Sequence, residues 1–158
     1  MKGNEKLITV LNALLADELT AINRYLVHSE MSGNWGYGKL YQAIRKQATD
    51  DMFQAELLIE RIISLEGNPI VSNLNPVNIG KNVSEMIKNN VDELDAVHNY
   101  NGDIQLNRKV QDQGTVELVS KILKMEEEHA DWAKMQRANI QQIGLKNYLM
   151  NQIEASAN

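Results

Sequence analysis

Glu126 and His129 stand three residues apart, so a helix would carry both on one face. They interrupt an apolar stripe of Val119, Ile122 and Ala133. The segment has a counterpart 75 positions earlier, where Asp51-Met52-Phe53-Gln54-Ala55-Glu56 falls on Glu126-Glu127-Glu128-His129-Ala130-Asp131. At the same offset Ala16-Asp17-Glu18-Leu19-Thr20-Ala21 falls on Val91-Asp92-Glu93-Leu94-Asp95-Ala96. Glu18 interrupts a stripe of Leu11, Leu14, Ala21 and Tyr25, and Glu93 one of Met86, Val97, Tyr100 and Ile104. Burying an unpaired acid costs several kcal/mol per ion. Four such acids on one core, Glu18, Asp51, Glu93 and Glu126, would repel one another, and two divalent cations would cancel them. Carboxylates and histidine on facing helices are the ligands of di-iron carboxylate centres. The plainer reading is that helical acids face water, as Glu60, Glu66 and Glu117 are expected to do. Arg24, Arg45 or Lys46 could also neutralise an inward acid.

The elements that must position these residues are helices. Asn4 can cap a first helix over about 4–33, ended by Gly33-Asn34-Trp35-Gly36-Tyr37-Gly38. A second covers about 39–66 and stops at Gly67-Asn68-Pro69; 67–81, with both prolines, reads as one long crossover. Asn82 caps a third, about 82–112, with Glu85 at the capping-box position. Asn101-Gly102 lies inside that helix, where glycine costs about 1 kcal/mol. A fourth, about 115–142, starts after Gly114, and Gly144 separates it from a short fifth at 145–153. The first helix carries a second apolar stripe, Ile8, Leu15, Leu19, Ile22 and Leu26, read either as a wider core-facing arc or as a surface for another subunit. The architecture expected is an all-α four-helix bundle with its long connection between helices two and three, one domain over 1–158.

Composition sets bounds. The 158 residues suit one hydrophobic core, which the 5% aromatic content leaves to aliphatic side chains and methionine. The absence of cysteine excludes disulfides, iron–sulfur clusters and thiol nucleophiles, and fits a reducing compartment. A net charge of −5 without a basic block argues against nucleic acid as a partner. No run is apolar and long enough for a signal peptide or a membrane span, so a cytoplasmic protein is expected.

Across nearly its whole length the chain resembles the bacterioferritins, within the ferritin-like superfamily. The likeness is carried by Met1-Lys2-Gly3, Thr20-Ala21-Ile22-Asn23-Arg24-Tyr25 and Asn34-Trp35-Gly36. It continues through Ile59-Glu60-Arg61-Ile62, Leu65-Glu66-Gly67-Asn68-Pro69 and Asn78-Ile79-Gly80. Glu127-Glu128-His129-Ala130-Asp131-Trp132 and Gly144-Leu145-Lys146-Asn147-Tyr148-Leu149 complete it. The resemblance implies a 24-mer shell that oxidises Fe(II) at an intrasubunit di-iron site and stores ferric mineral. It puts the metal ligands at Glu18, Asp51, Gln54, Glu93, Glu126 and His129, with Asp51 and Glu126 bridging and Tyr25 beside the site.

Two of these positions depart from the family pattern. Asp51 stands for glutamate and is one methylene shorter; Gln54 stands for histidine and is a neutral, weaker ligand for iron. The half-site of Glu93, Glu126 and His129 is therefore intact, and that of Glu18, Asp51 and Gln54 weakened. This leaves open a slow ferroxidase, or a structural and haem-carrying subunit coassembled with a second ferritin subunit that oxidises the iron. Met52 is ordinary core filler by its spacing; the resemblance places it at the position where a methionine from each of two subunits holds haem b. It lies about 100° round the helix from Asp51, with Arg45 and Thr49 nearby, and Leu19, Ile22, Asn23 and Leu26 could wall the pocket. His28 and His98 read as surface or hydrogen-bonded histidines, and Trp35 and Trp132 as packing. A di-iron oxidoreductase acting on peroxide lacks its cysteine-bound iron domain here, and the acidic balance disfavours a DNA-protecting mini-ferritin.

Overall fold

The computed structural model describes residues 5–106 and 112–153, with the backbone alone in 96–106. The expected all-α architecture is what it shows: α1 (Glu5–Asn34), α2 (Gly38–Ser64), α3 (Val83–Leu106), α4 (Gln113–Ile143) and α5 (Leu145–Met150). The Asn4 cap and the 107–111 end of the third helix lie outside the described residues, and α3 runs through Asn101-Gly102. Helix α1 pairs chiefly with α2, and α3 with α4. The anticipated stripe of α1, Leu7, Leu11, Leu14, Glu18, Ala21 and Tyr25, is buried throughout. Leu58, Ile62 and Ile122 close one end of the core; Tyr25, Ile44, Met86 and Tyr148 fill the other.

Helix ends follow local chemistry. Asn82 Oδ1 accepts from the Glu85 N–H at 2.9 Å, and Glu85 Oε2 accepts from the Lys81 N–H at 2.7 Å. The capping box thus reaches back one residue further than its simplest form. Helix α4 begins earlier than Gly114 suggests, because Asp112 is its N-cap and accepts from the Thr115 N–H at 2.8 Å. Arg61 of α2 pairs with Asp112 and donates to Thr115 Oγ1, tying the two helices there. Helix α2 ends before Gly67, at a left-handed Glu66 (φ 62°). Gly144, at φ 83°, ends α4 where expected. The fifth helix is shorter than anticipated and stops at Met150, with Asn151 as its C-cap.

The crossover from α2 to α3 lies along α1 and is fastened to it at intervals. Asn12 donates to the Asn68 carbonyl and accepts from the Ile70 N–H. Asn75 donates through its backbone to Thr20 Oγ1 (2.9 Å) and through its amide to Asp17 Oδ1 (2.7 Å). His28 Nε2 accepts from the Gly80 N–H at 3.0 Å. A Cβ on Gly80 would lie 2.4 Å from the Met86 backbone nitrogen, so the close approach to α3 requires glycine. His28 is therefore buried and hydrogen-bonded, and the side chain of His98 lies outside the described residues. Trp132 packs against the core as anticipated, whereas Trp35 is 36% exposed and lines an open cleft of about 400 Å³ with Tyr37 and Leu145.

Candidate metal centre

Each helix that contributes to the site places its acid where a core side chain would stand. Glu18 on α1, Asp51 and Gln54 on α2, and Glu126 and His129 on α4 are all buried. They converge: Asp51, Glu126 and His129 each offer one ligand atom, and the three atoms lie within 4.8 Å of one another. His129 Nδ1 stands 3.6 Å from Asp51 Oδ1, and Nε2 stands 3.1 Å from Asp50 Oδ2. A ring that donates Nε2–H to Asp50 keeps the Nδ1 lone pair for the cluster, the usual arrangement of a metal-ligating histidine. Asp50 also pairs with Lys46 at 3.2 Å, one turn earlier on α2. Tyr25 meets the His129 ring edge-on, with centroids 5.9 Å apart.

The electrostatics are those of carboxyls crowded into a dry space. Burial, then the charges of Glu126 and Asp51, push the Glu18 carboxyl well above the usual carboxylate range. Burial, then Glu126, raise Asp51, while the Arg24 guanidinium works the other way. Burial also holds the Tyr25 hydroxyl far above its ordinary value. Asp17, on the flank, is raised to about 6 by burial, against the lowering effect of its Asn75 hydrogen bond; Glu126 and Glu93 raise it further.

Inside the cluster several polar atoms have no hydrogen-bond partner: Glu18 Oε2, both carboxylate oxygens of Asp51, Gln54 Oε1, His129 Nδ1 and the Tyr25 hydroxyl. Buried polar atoms are nearly always paired, and each left unpaired costs about 1–3 kcal/mol. Converging carboxylate oxygens and an imidazole nitrogen, left unpaired, with a further unpaired amide oxygen from Gln54 one turn along α2, form a donor set suited to a cation. The residues present therefore fit iron.

Glu93 is placed differently from the other five. The buried face of α3 runs through Met86, Ile87, Asn90, Val91 and Leu94, and Glu93 sits half-buried at its edge. Its Oε1 accepts from the Asn78 amide of the crossover at 2.6 Å, and it is not among the three residues whose ligand atoms converge. Val97, Tyr100 and Ile104, expected to share its stripe, have side chains outside the described residues. Met52 is 38% exposed and so is not core filler. Glu60, Glu66 and Glu117 face water, as expected.

Sequence reasoning passed over Asn75, Asn78, Asn90 and Asp50. The three asparagines meet their partners from another element, which spacing along one helix does not reveal. Asp50 carried a usable signal, since it precedes Asp51 and stands four residues after Lys46 on α2.

The family model described as a ferritin-like domain matches residues 8–143. Relatives include a bacterial ferritin of Synechocystis sp., 39% identical over 97% of this chain and 99% of its own. A bacterial ferritin of Paramagnetospirillum magnetotacticum is 38% identical over 96% of this chain and 94% of its own. The bacterioferritin of Mycobacterium leprae is 33% identical over 94% of each. With the metal-ready cluster in the core of a four-helix bundle, these matches place the chain in the ferritin-like family, among the bacterioferritins.

Proposed function

We propose that this member of the ferritin family stores iron as a subunit of a 24-mer shell and oxidises Fe(II) to Fe(III) inside its own bundle, with dioxygen from solution taking up the electrons. The observation that carries the reading is the set of unpartnered buried ligand atoms contributed by Glu18, Asp51, Gln54 and His129. Iron is substrate here. Glu126 and His129 hold the ion that binds first, Asp51 bridges as far as its shorter arm allows, and Glu18 and Gln54 offer oxygens to a second. Glu93 completes the first half-site when its carboxylate leaves Asn78. A cation bound there gives the unpaired oxygens of Glu18 and Asp51 the positive partner they lack. Tyr25 stands next to His129 as a redox-capable neighbour of the reacting metal.

Met52 supports the haem part of the reading. Its half-exposed thioether on α2 is available to a group shared with a second copy, and one methionine from each of two subunits would hold haem b. Haem so ligated supplies an electron-transfer centre between subunits, and a Soret band in the purified protein that a Met52→Ala variant lacks tests it.

The second reading, a shell-forming and haem-carrying subunit with a disabled site beside an active partner subunit, is favoured by the neutral Gln54 and by the Asn78–Glu93 hydrogen bond. Fe(II) oxidation in air by the homopolymer, alongside Gln54→His, separates the two. Rapid oxidation of two Fe(II) per subunit by the unmodified protein upholds the ferroxidase. Negligible oxidation, restored about tenfold or more when a neutral amide becomes an imidazole ligand, assigns the chemistry to a different subunit.

A further inference from the structure

We infer that Asn78 of the crossover is a positioning residue for metal uptake: its amide holds the Glu93 carboxylate outside the core, and an ion entering the bundle must take that carboxylate from it. The inference rests on the site proposed above. Asn78 Nδ2 donates to Glu93 Oε1 at 2.6 Å, and in that position Glu93 is not among the residues whose ligand atoms converge. Among the described residues no cation pairs with Glu93, so a neutral amide is what a metal ion has to displace. Asn78 is itself gripped by the same helix, since its backbone carbonyl accepts from Asn89 Nδ2 at 3.3 Å, one turn before Glu93.

The crossover cannot follow the carboxylate inward. Before Asn78 in the chain, the Asn75 N–H donates to Thr20 Oγ1 and Asn75 Nδ2 to Asp17 Oδ1. After it, the Gly80 N–H donates to the buried His28, and a Cβ on Gly80 would lie 2.4 Å from the Met86 nitrogen of α3. Fastened on both sides, the amide stays where it is. Glu93, by contrast, borders the buried face of α3 beside Asn90 and Leu94, and a change of its own χ angles turns it toward the core. Binding to Asn78 and binding to the ion therefore oppose each other, each weakening the other by the same factor. The competing arrangement keeps the hydrogen bond in place, with Asn78 orienting Glu93 as an outer partner of a metal ligand. The two differ in sign: a latch weakens metal binding, and an orienting partner strengthens it.

The metal-free, assembled full chain is titrated with Co(II), following the visible absorption of the bound ion and the heat of binding. Core uptake is the part that an Asp51→Asn control loses. Asn78→Ala is expected to bind core Co(II) about threefold to tenfold more tightly than the unmodified protein, the range for one net hydrogen bond. In a Glu93→Gln background the carboxylate is gone, and the same Asn78→Ala change is expected to leave Co(II) affinity unaltered. A merely structural effect on the crossover would act equally in both backgrounds, and an equal gain in both would overturn the latch. Unaltered or weaker binding in Asn78→Ala, with core uptake still sensitive to Asp51→Asn, would also overturn it and leave the site standing. If Asn78→Ala does not assemble, hydrogen exchange in the unmodified protein decides. Co(II) is expected to speed exchange of the Asn75 and Gly80 amides by up to the same factor, as the crossover loses one fastening; unchanged or slower exchange would overturn the latch. No Co(II) uptake sensitive to Asp51→Asn would overturn the site itself, and the inference with it.

Discussion

A buried histidine outside the candidate metal cluster sets a pH limit on this fold. His28 is fully buried; its Nε2 accepts from Gly80, and its Nδ1 has no partner. Burial, then the charge of Arg24, lower its pKa from 6.5 to about 4, while the neighbouring Asn90 side chain works the other way. Between those values the unfolded chain binds the proton and the folded chain does not. Stability from this group is thus complete above pH 6.5 and falls as pH drops to 4, by about 3 kcal/mol at 1.36 kcal/mol per unit. Asp17 has the opposite sign: raised from 3.8 to about 6, it makes stability fall as pH rises through that interval. Comparing His28→Gln with the unmodified protein isolates the histidine, because glutamine still accepts from Gly80 and does not titrate. Chemical denaturation from pH 4 to 7 is expected to show a shallower acid loss in His28→Gln; identical profiles would refute this. At this scale the sequence was readable wherever a residue broke an apolar stripe. Glu18, Asp51, Glu126 and His129 did so within a duplicated frame, and all four are buried where that reading placed them. Glu93 broke a stripe too, yet its engagement by Asn78 was hidden, since the crossover has no period from which to read a contact.

At the scale of elements, helix interiors followed from periodicity and helix ends from chemistry less easily seen. The stop of α2 is the instructive case. Gly67-Asn68-Pro69 looks like the terminator, but the left-handed residue is Glu66. The Glu66 N–H donates to the Ile63 carbonyl and the Gly67 N–H to the Ile62 carbonyl, the pattern of a Schellman motif one residue earlier. Gly67 has a different duty: an added Cβ would come within 2.8 Å of the Ile8 side chain, so its small size lets the turn settle on α1. A non-glycine residue in the left-handed region costs about 1–2 kcal/mol, partly offset by the greater freedom of glycine in the unfolded chain. Glu66→Gly is expected to stabilise the protein by about 0.5–1 kcal/mol, read as a higher denaturation midpoint at unchanged cooperativity. A lower midpoint would mean that the carboxylate contributes something the backbone does not show. Asp112 teaches the same lesson at the start of α4. Gly114 marked the break, whereas the N-cap stood two residues before it, recognisable as an acid three residues ahead of Thr115.

The whole molecule leaves apolar surface that a single chain does not cover. Met52, Ile59 and Ile63 follow one another at helical spacing along α2, and Met52 and Ile63 are 38% and 59% exposed. On α1 the second apolar stripe is divided: Leu15 and Ile22 are buried, whereas Ile8, Leu19 and Leu26 are only partly covered. The sequence showed that α1 has two apolar faces but not which one a partner would meet, because a wide core arc and an interface share the same periodicity. The exposures suit a second copy of this chain over the α1–α2 side, as the shell proposed above requires. An apolar contact of that kind is strongly destabilised by a buried, unpaired charge. Ile63→Glu changes a side chain that is exposed within the subunit, so the bundle itself is expected to fold with unchanged helical content. Assembly is expected to suffer: size-exclusion chromatography with light scattering should show the large particle giving way to monomers or small oligomers. The haem site proposed at Met52 should be lost with it, seen as haem uptake reduced in parallel with assembly although Met52 is untouched. An Ile63→Glu protein that still forms the full particle would place the subunit contact elsewhere and leave the apolar row on α2 facing solvent.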